Sequence, residues 1–290
     1  MTATLDATQT QKLEALLRLL DDDTPLVRDA VTKELVAFGT GIGRHIYDTQ
    51  IELDAPQWTT LRDILFDCYQ QQLRKDWPKW LLCDSDAPRL EAALGLLARF
   101  QNGPRYRPPI ADSLDELSAE YASSTQDINH ATLARFLFNE KQFHSVDEEE
   151  EDTEASNLAW VLERRQGLPI SLVCVYMLVG HRHGLKTTGC NWPGSFYARF
   201  MDRGRLYVVD CNNHGLVLEA DELLRLQGPS REAAEAVLTL DVDATTMVRR
   251  VLSNLAFGYR RAANTDSSLL MLDLLRALEQ LLKRGFGDAT

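Results

Sequence analysis

The chain is poor in three things: paired cysteines, positive charge and long apolar runs. Its 290 residues contain five cysteines, Cys68, Cys83, Cys174, Cys190 and Cys211, and none stands in a Cys-x-x-Cys pair. An odd number of scattered thiols fits reduced cysteines in a cytosol and not a disulfide framework. No apolar run reaches the roughly 18 residues that cross a bilayer. The opening MTATLDATQTQKLEALL lacks the basic start and apolar stretch of a signal peptide. The expected location is therefore cytoplasmic, without membrane contact. Thirty-one basic residues against 43 acidic ones leave a net charge of −12. An acidic chain gains nothing from displacing counterions off a phosphate backbone, which argues against a nucleic-acid partner.

What is present is ordinary globular composition, 44% hydrophobic and 26% charged, enough for roughly two domains. Residues from about 10 to 100 read as helices. Leu13, Leu16, Leu17, Leu19 and Leu20 recur at helical spacing. After an acidic turn, Thr24 stands where a helix cap belongs and Pro25 at the first helical position. Leu26, Val27, Val31, Leu35 and Phe38 then form a second apolar face, which Gly39 ends. This resembles one HEAT-like helix pair, which cannot bury its apolar face alone. Further helices are expected over about 57–73 and 87–100, with Trp58, Trp77 and Trp80 as packing anchors.

NGPRYRPPI at 102–110 interrupts the helical pattern. The expected division is a helical leader over 1–108, a core over 109–240 and a C-terminal helical hairpin over 241–290. DSLDELSAEY and INHATLARFLFNEKQF read as helical. Asp147 to Asp152 form a run of one charge, expected as a solvated loop because like charges repel in compact structure. The run lacks the glycine and alternating ligands of a calcium loop, and no metal is expected there. NLAWVLERRQG predicts a helix stopped by Gly167, with Glu163, Arg164 and Arg165 available to pair or to cap its end. LPISLVCVYMLVGHRHG restarts after Pro169 and is apolar nearly all round, the mark of a buried central helix. KTTGCNW, SFYARFM, RLYVVD and GLVL follow as strands, the middle two joined in a hairpin by Asp202-Arg203-Gly204. A polar helical stretch over 220–237 and a final helix–turn–helix complete an α+β chain that is mostly helical.

This order suits one kind of chemistry. A nucleophile at the start of a buried helix sits in the helix's positive field. A base on the following strand and a carboxylate one strand over complete a triad. The positions that fit are Ser171, Ser195 and Asp210. LERRQGLPISLVCVYMLVGHRHGL, NWPGSFYARF and VVDCNNHGLVL together resemble the SirB-type branch of the transglutaminase-like superfamily, with its pattern ERRRGIPISL, NFPGHFLVR and IDPFNGG. The resemblance covers roughly residues 115–290 and includes a tetratricopeptide-like tail.

The resemblance implies a papain-like core and a Cys-His-Asp triad for acyl transfer or peptide hydrolysis. Asp210 falls on the aspartate, Ser195 on the histidine, and Ser171 at or beside the nucleophile. A serine hydroxyl is a poor nucleophile without a base, and Ser195 does not titrate near neutral pH. The expectation is a degenerate triad in an interaction or regulatory protein with a protein partner, as monomer or weak dimer, with no cofactor and no metal. Two alternatives stand beside it. One is an acyl-transfer enzyme or peptidase with a rearranged triad, its substitutes being Cys174, Cys190, Cys211 and His214. The other is a peptide- or small-ligand-binding module using the remnant cleft. Metal binding by His181 and His183 is not expected, and Asp210 is expected to serve as a structural acceptor at the strand end.

Overall fold

A computed structural model of the chain describes residues 7–146, 153–192, 195–226, 238 and 240–287. The acidic run Asp147 to Asp152 lies outside these residues, as does 227–237, most of the stretch 220–237 expected to be helical. The chain divides into two compact units, Met1–Trp77 with Leu96–Pro108, and Pro78–Gly95 with Pro109–Thr290.

The smaller unit contains α1 (Ala7–Arg18), α2 (Pro25–Phe38), α3 (Ile42–Asp48) and α4 (Ala55–Asp76). It also takes the second part of α5 (Asp86–Asn102). Leu13 and Leu17 of α1 and Val31 and Leu35 of α2 are buried, at the spacing of one helical face each. Gly39 ends α2 with φ of 65°, as the sequence predicts. Thr24 sits at the cap position of α2, but its hydroxyl makes no cap bond. Asp22 explains this: its Oδ1 accepts the Thr24 N–H at 2.8 Å and its carboxylate also bonds the hydroxyl. Asp54 does cap α4, accepting from the Gln57 N–H at 2.8 Å while Gln57 accepts from the Asp54 N–H. Trp77 is buried and Trp58 is half-buried beneath Arg105.

The larger unit is built on α9 (Pro169–Arg182), whose residues from Ile170 to Gly180 are all buried. Around it lie α6 (Ile110–Ser124), α7 (His130–Arg135) and α8 (Leu158–Arg164). The C-terminal hairpin is α11 (Ala244–Arg261) and α12 (Thr265–Gly287). Four antiparallel strands run in the order β3 (Thr188–Cys190), β4 (Tyr197–Asp202), β5 (Arg205–Asp210) and β6 (Leu216–Glu219). β6 leads into α10 (Ala220–Leu226). Arg203 and Gly204 both have positive φ between β4 and β5, so the predicted tight turn twists with its strands. The fold is α+β and mostly helical, with a central buried helix against a small antiparallel sheet.

The sheet is covered on both faces, and strand alternation assigns the residues. Ala198, Phe200, Tyr207 and Val209 lie on the α9 side, where Phe200 stacks on His130 at 3.8 Å and on Tyr207 at 5.3 Å. His130 in turn shares hydrogen bonds with Tyr176 of α9. The opposite face carries Tyr197 and Val208, which cluster with Cys190, Trp192, Ala220 and Leu238.

Two features of the α8–α9 junction differ from expectation. Gly167 does not end α8. Arg165 adopts the left-handed cap conformation (φ 60°, ψ 24°), and Gln166–Gly167 form β2, parallel to β1 (His144–Ser145). Glycine is needed at 167 for space, since a Cβ there would stand 2.9 Å from Val161 and 3.3 Å from the Ser171 Cβ.

Candidate functional site

Ser171 sits in the first turn of α9, which Pro169 starts. Its side chain is buried, and Oγ donates to the Ala155 carbonyl at 2.9 Å. The hydroxyl thus ties α9 to the short helical turn Glu154–Ser156. Ser195 precedes β4. Its N–H donates to the Trp192 carbonyl at 3.0 Å, and its side chain hydrogen-bonds the Tyr197 phenol. Asp210 ends β5. Its Oδ1 accepts from the N–H groups of Asn212 and Asn213 at 3.1 and 3.2 Å, and its carbonyl accepts from Asn213 and Gly215. Burial holds the Asp210 carboxyl above its ordinary value, against the opposing pull of those two N–H groups.

No hydrogen bond joins Ser171, Ser195 and Asp210 to one another. Ser195 and Asp210 are linked only through Tyr197, which bonds the first and feels the charge of the second. The register explains it. Ala198 pairs with Val209, so Tyr197 lies across from Asp210, and Ser195 is two residues beyond. Alternation puts Asp210 with Leu206 and Val208 on the face away from the middle of α9.

The four alternative groups fare as follows. Cys174 is wholly buried in α9, and burial pushes its thiol up to about 12. Cys211 is buried too, and its thiol is raised well above the ordinary value, first by burial and then by the Asp210 charge. Cys190 lies in β3 opposite Tyr197, and burial pushes it up to about 11, with Arg199 opposing. A reactive cysteine needs an exposed, electropositive setting that lowers its pKa, the reverse of all three. His214 is exposed in the turn after β5, with φ of 52°. Its carbonyl, not its imidazole, is held, by Asn139 Nδ2 at 3.0 Å. Asn139 is aimed there by a π turn over Phe136–Glu140. Gly215 completes this turn with φ of 70°, where a Cβ would strike Phe138 and the Ala134 carbonyl.

Sequence reasoning passed over two well-made polar clusters. His130 Nδ1 lies 3.2 Å from the Tyr176 hydroxyl, which donates to the His130 carbonyl at 3.0 Å. Burial lowers the His130 pKa, against the Asp202 charge. His130 meets Phe200, near the far end of β4 from Ser195. Arg199 is the second. It is buried, donates Nε to Thr188 Oγ1 at 3.0 Å, and also bonds the Leu238 carbonyl and Asp241. No local motif marks either one, since their hydrogen-bond partners lie 11 to 46 residues away in the chain. His183 is likewise engaged, 2.9 Å from Ser118 Oγ. A surface groove of about 640 Å³ lies between α6 and the π turn, lined by Glu116, Glu120, Phe136, Glu140 and Lys141, and none of the triad positions reaches it.

A buried helix that starts at a candidate nucleophile, followed by an antiparallel hairpin bearing the other two positions, is the arrangement of a transglutaminase-like core. The chain belongs to the transglutaminase-like superfamily, which matches it over residues 106–253, just over half its length. It is similar to bacterial UPF0162 proteins. One from Xylella fastidiosa strain Temecula1 is 31% identical over 196 residues, covering 63% of this chain and 68% of that protein. One from strain 9a5c is 29% identical, covering 67% and 73%. A UPF0162 protein of Pseudomonas aeruginosa is 34% identical over 163 residues, 51% of this chain and 56% of the relative. No solved structure matches the chain. Among the described residues no helix is long and apolar enough to cross a membrane.

Proposed function

We propose that this chain is a non-catalytic member of the superfamily, of the SirB-type branch, acting in the cytoplasm as a regulatory or protein-interaction module. The HEAT-like leader and tetratricopeptide-like tail belong to this reading as partner-binding elements. The observation that carries it is the separate engagement of the three triad positions. Ser171 bonds Ala155, Ser195 bonds Tyr197 and Asp210 bonds its own turn. A serine nucleophile needs a base within about 3 Å of its hydroxyl, and Ser171 instead directs its proton at a carbonyl. The buried, high-pKa thiols at 174, 190 and 211 count against a rearranged thiol enzyme.

The test is Ser195→His alone, assayed beside the unchanged protein for hydrolysis of a model ester and for amide transfer to hydroxylamine. We expect no turnover above buffer from either, because Ser171 remains a weak nucleophile. Turnover by either protein, abolished by Ser171→Ala, overturns the reading.

A further inference from the structure

α11 is unusual in a chain of net charge −12. Its eighteen residues, ATTMVRRVLSNLAFGYRR, contain four arginines and no Asp or Glu. The helices α1, α2, α4 and α12 mix both signs, and α6 is wholly acidic. At about 100° per residue, Met247, Val248, Val251, Leu252, Leu255 and Tyr259 share one side of α11, and all are buried. Arg249, Arg250, Ser253, Phe257, Arg260 and Arg261 share the other, and all are exposed. Asp243, just before the helix, is already spent as its cap, accepting from the Thr246 N–H at 2.8 Å.

Phe257 stands in the middle of this outer face and is 52% exposed. The Arg260 and Arg261 guanidinium carbons lie 5.3 and 6.0 Å from its ring centroid. Arg249, Arg250 and Arg260 form no ion pair with any described residue. Arginine and aromatic residues are enriched in protein interfaces, whereas Lys, Asp and Glu are depleted. Arg is also weakly hydrated and pairs carboxylates through its planar fork. An exposed ring held between guanidinium groups therefore has the composition of an interface centre and not of a solubilising face.

We infer that the outer face of α11 is a docking surface for an acidic polypeptide segment carrying an apolar anchor residue. This rests on the reading of the chain as an interaction protein, and it assigns that reading a surface and a partner chemistry. The arginines supply charge complementarity to carboxylates on either side of the anchor, and Phe257 receives the anchor. From Arg249 to Arg261 the face extends about 18 Å, the length of a partner helix of about 12 residues. A nucleic acid fits less well. Its backbone would run past this patch onto a chain carrying 43 acidic residues, and a stacked base would have to displace the guanidinium groups from the ring.

The test uses the full chain and fluorescence anisotropy with a labelled synthetic helix of about 14 residues, glutamates flanking a central Trp-Leu pair. The comparison probes are labelled single-stranded DNA and phosphatidylserine-containing vesicles. We expect saturable binding of the peptide that weakens with salt. Arg250→Glu with Arg260→Glu should weaken it at least about tenfold and Phe257→Ala about three- to tenfold, with circular dichroism unchanged, since all three side chains are exposed. Absent peptide binding, or equal binding by the charge-reversed variant, overturns the inference. Tighter, variant-sensitive binding of DNA or vesicles also overturns it and assigns the face to that class instead. The ester and amide assays contain no peptide, so they decide the non-catalytic reading separately.

Discussion

The two faces of the central sheet treat their polar groups differently. On the α9 side, polar atoms are few and paired with each other inside an aromatic layer, as in the His130–Tyr176 pair under Phe200. On the opposite side, Ser195, Asp210 and Arg199 each fasten a segment of backbone: the approach to β4, the turn after β5, and the chain at Leu238. A triad needs its members to spend their hydrogen bonds on one another. Here the fold absorbs these groups as caps and clamps. The difference teaches that a polar group at a strand end can be absorbed without a partner triad, because Ser195 finds a phenol and Asp210 finds two backbone N–H groups. The half-buried His130 imidazole on the α9 side lies near the far end of β4 from Ser195.

The clamp on the far face should carry the largest effect. Arg199→Met keeps the apolar stem within the Tyr197–Leu238 cluster but removes every donor. It strands the buried Leu238 carbonyl, while Thr188 Oγ1 keeps its bond to the exposed Asp241, whose carboxylate rehydrates. Loss of about 2–3 kcal/mol in urea unfolding is expected; a loss below about 1 kcal/mol would mean that this face is held by apolar packing alone. The α9 side is broken more gently. Tyr176→Phe leaves ring packing intact and removes only the hydroxyl shared with His130, for an expected cost of about 1–2 kcal/mol by the same measurement. An unchanged midpoint would show that the pair contributes no net stability.

A pH series separates the faces further. The half-buried His130 has a lowered pKa, so the folded state holds it neutral while the unfolded chain takes up a proton below about 6.5. Its share of stability is present above that pH and is lost as pH falls through about 6.5 towards the folded value. In His130→Gln, the difference in thermal midpoint from the unchanged protein should therefore shrink between pH 7.5 and about 5.5. A difference constant across that window would remove the titration of His130 from the account.

Much of this architecture was legible in the sequence because it depends on local pattern. The unbroken apolar run after Pro169 gave α9, alternation with Asp202-Arg203-Gly204 gave β4 and β5, and Pro25 and Gly39 bounded α2. What escaped depends on competition or on distance. Thr24 looked like a cap until Asp22 proved nearer to its N–H and hydroxyl. Gly167 looked like a helix stop, yet its small size serves a two-residue parallel strand and the approach of Val161, while Arg165 accepts the left-handed turn. The positions of Ser171, Ser195 and Asp210 were found by motif. The partner of Ser171 was not: Ala155 lies 16 residues away, and nothing nearby in the chain announces it.

Asp210 allows the smallest and most pointed change. Its carboxyl is held above the ordinary value by burial, so the folded state binds a proton more tightly than the unfolded chain. For an acid shifted upward, the linked stability is fully present below the unfolded value near 3.8 and is lost as pH rises through the folded one. At neutral pH the ionised group is therefore a small cost, offset by the two N–H bonds from Asn212 and Asn213. Asp210→Asn keeps an oxygen for both donors and removes the charge. Because the group is partly solvated, its effect at pH 7 should be within about 1 kcal/mol, neutral or stabilising. The gap between the two proteins should narrow as the medium is acidified towards pH 4. A catalytic or imidazole-orienting aspartate predicts no such pattern, since its carboxylate would be held ionised by a cationic partner. A destabilised Asn variant, or one whose deficit grows with pH, would reopen the case for a charged partner at this strand end.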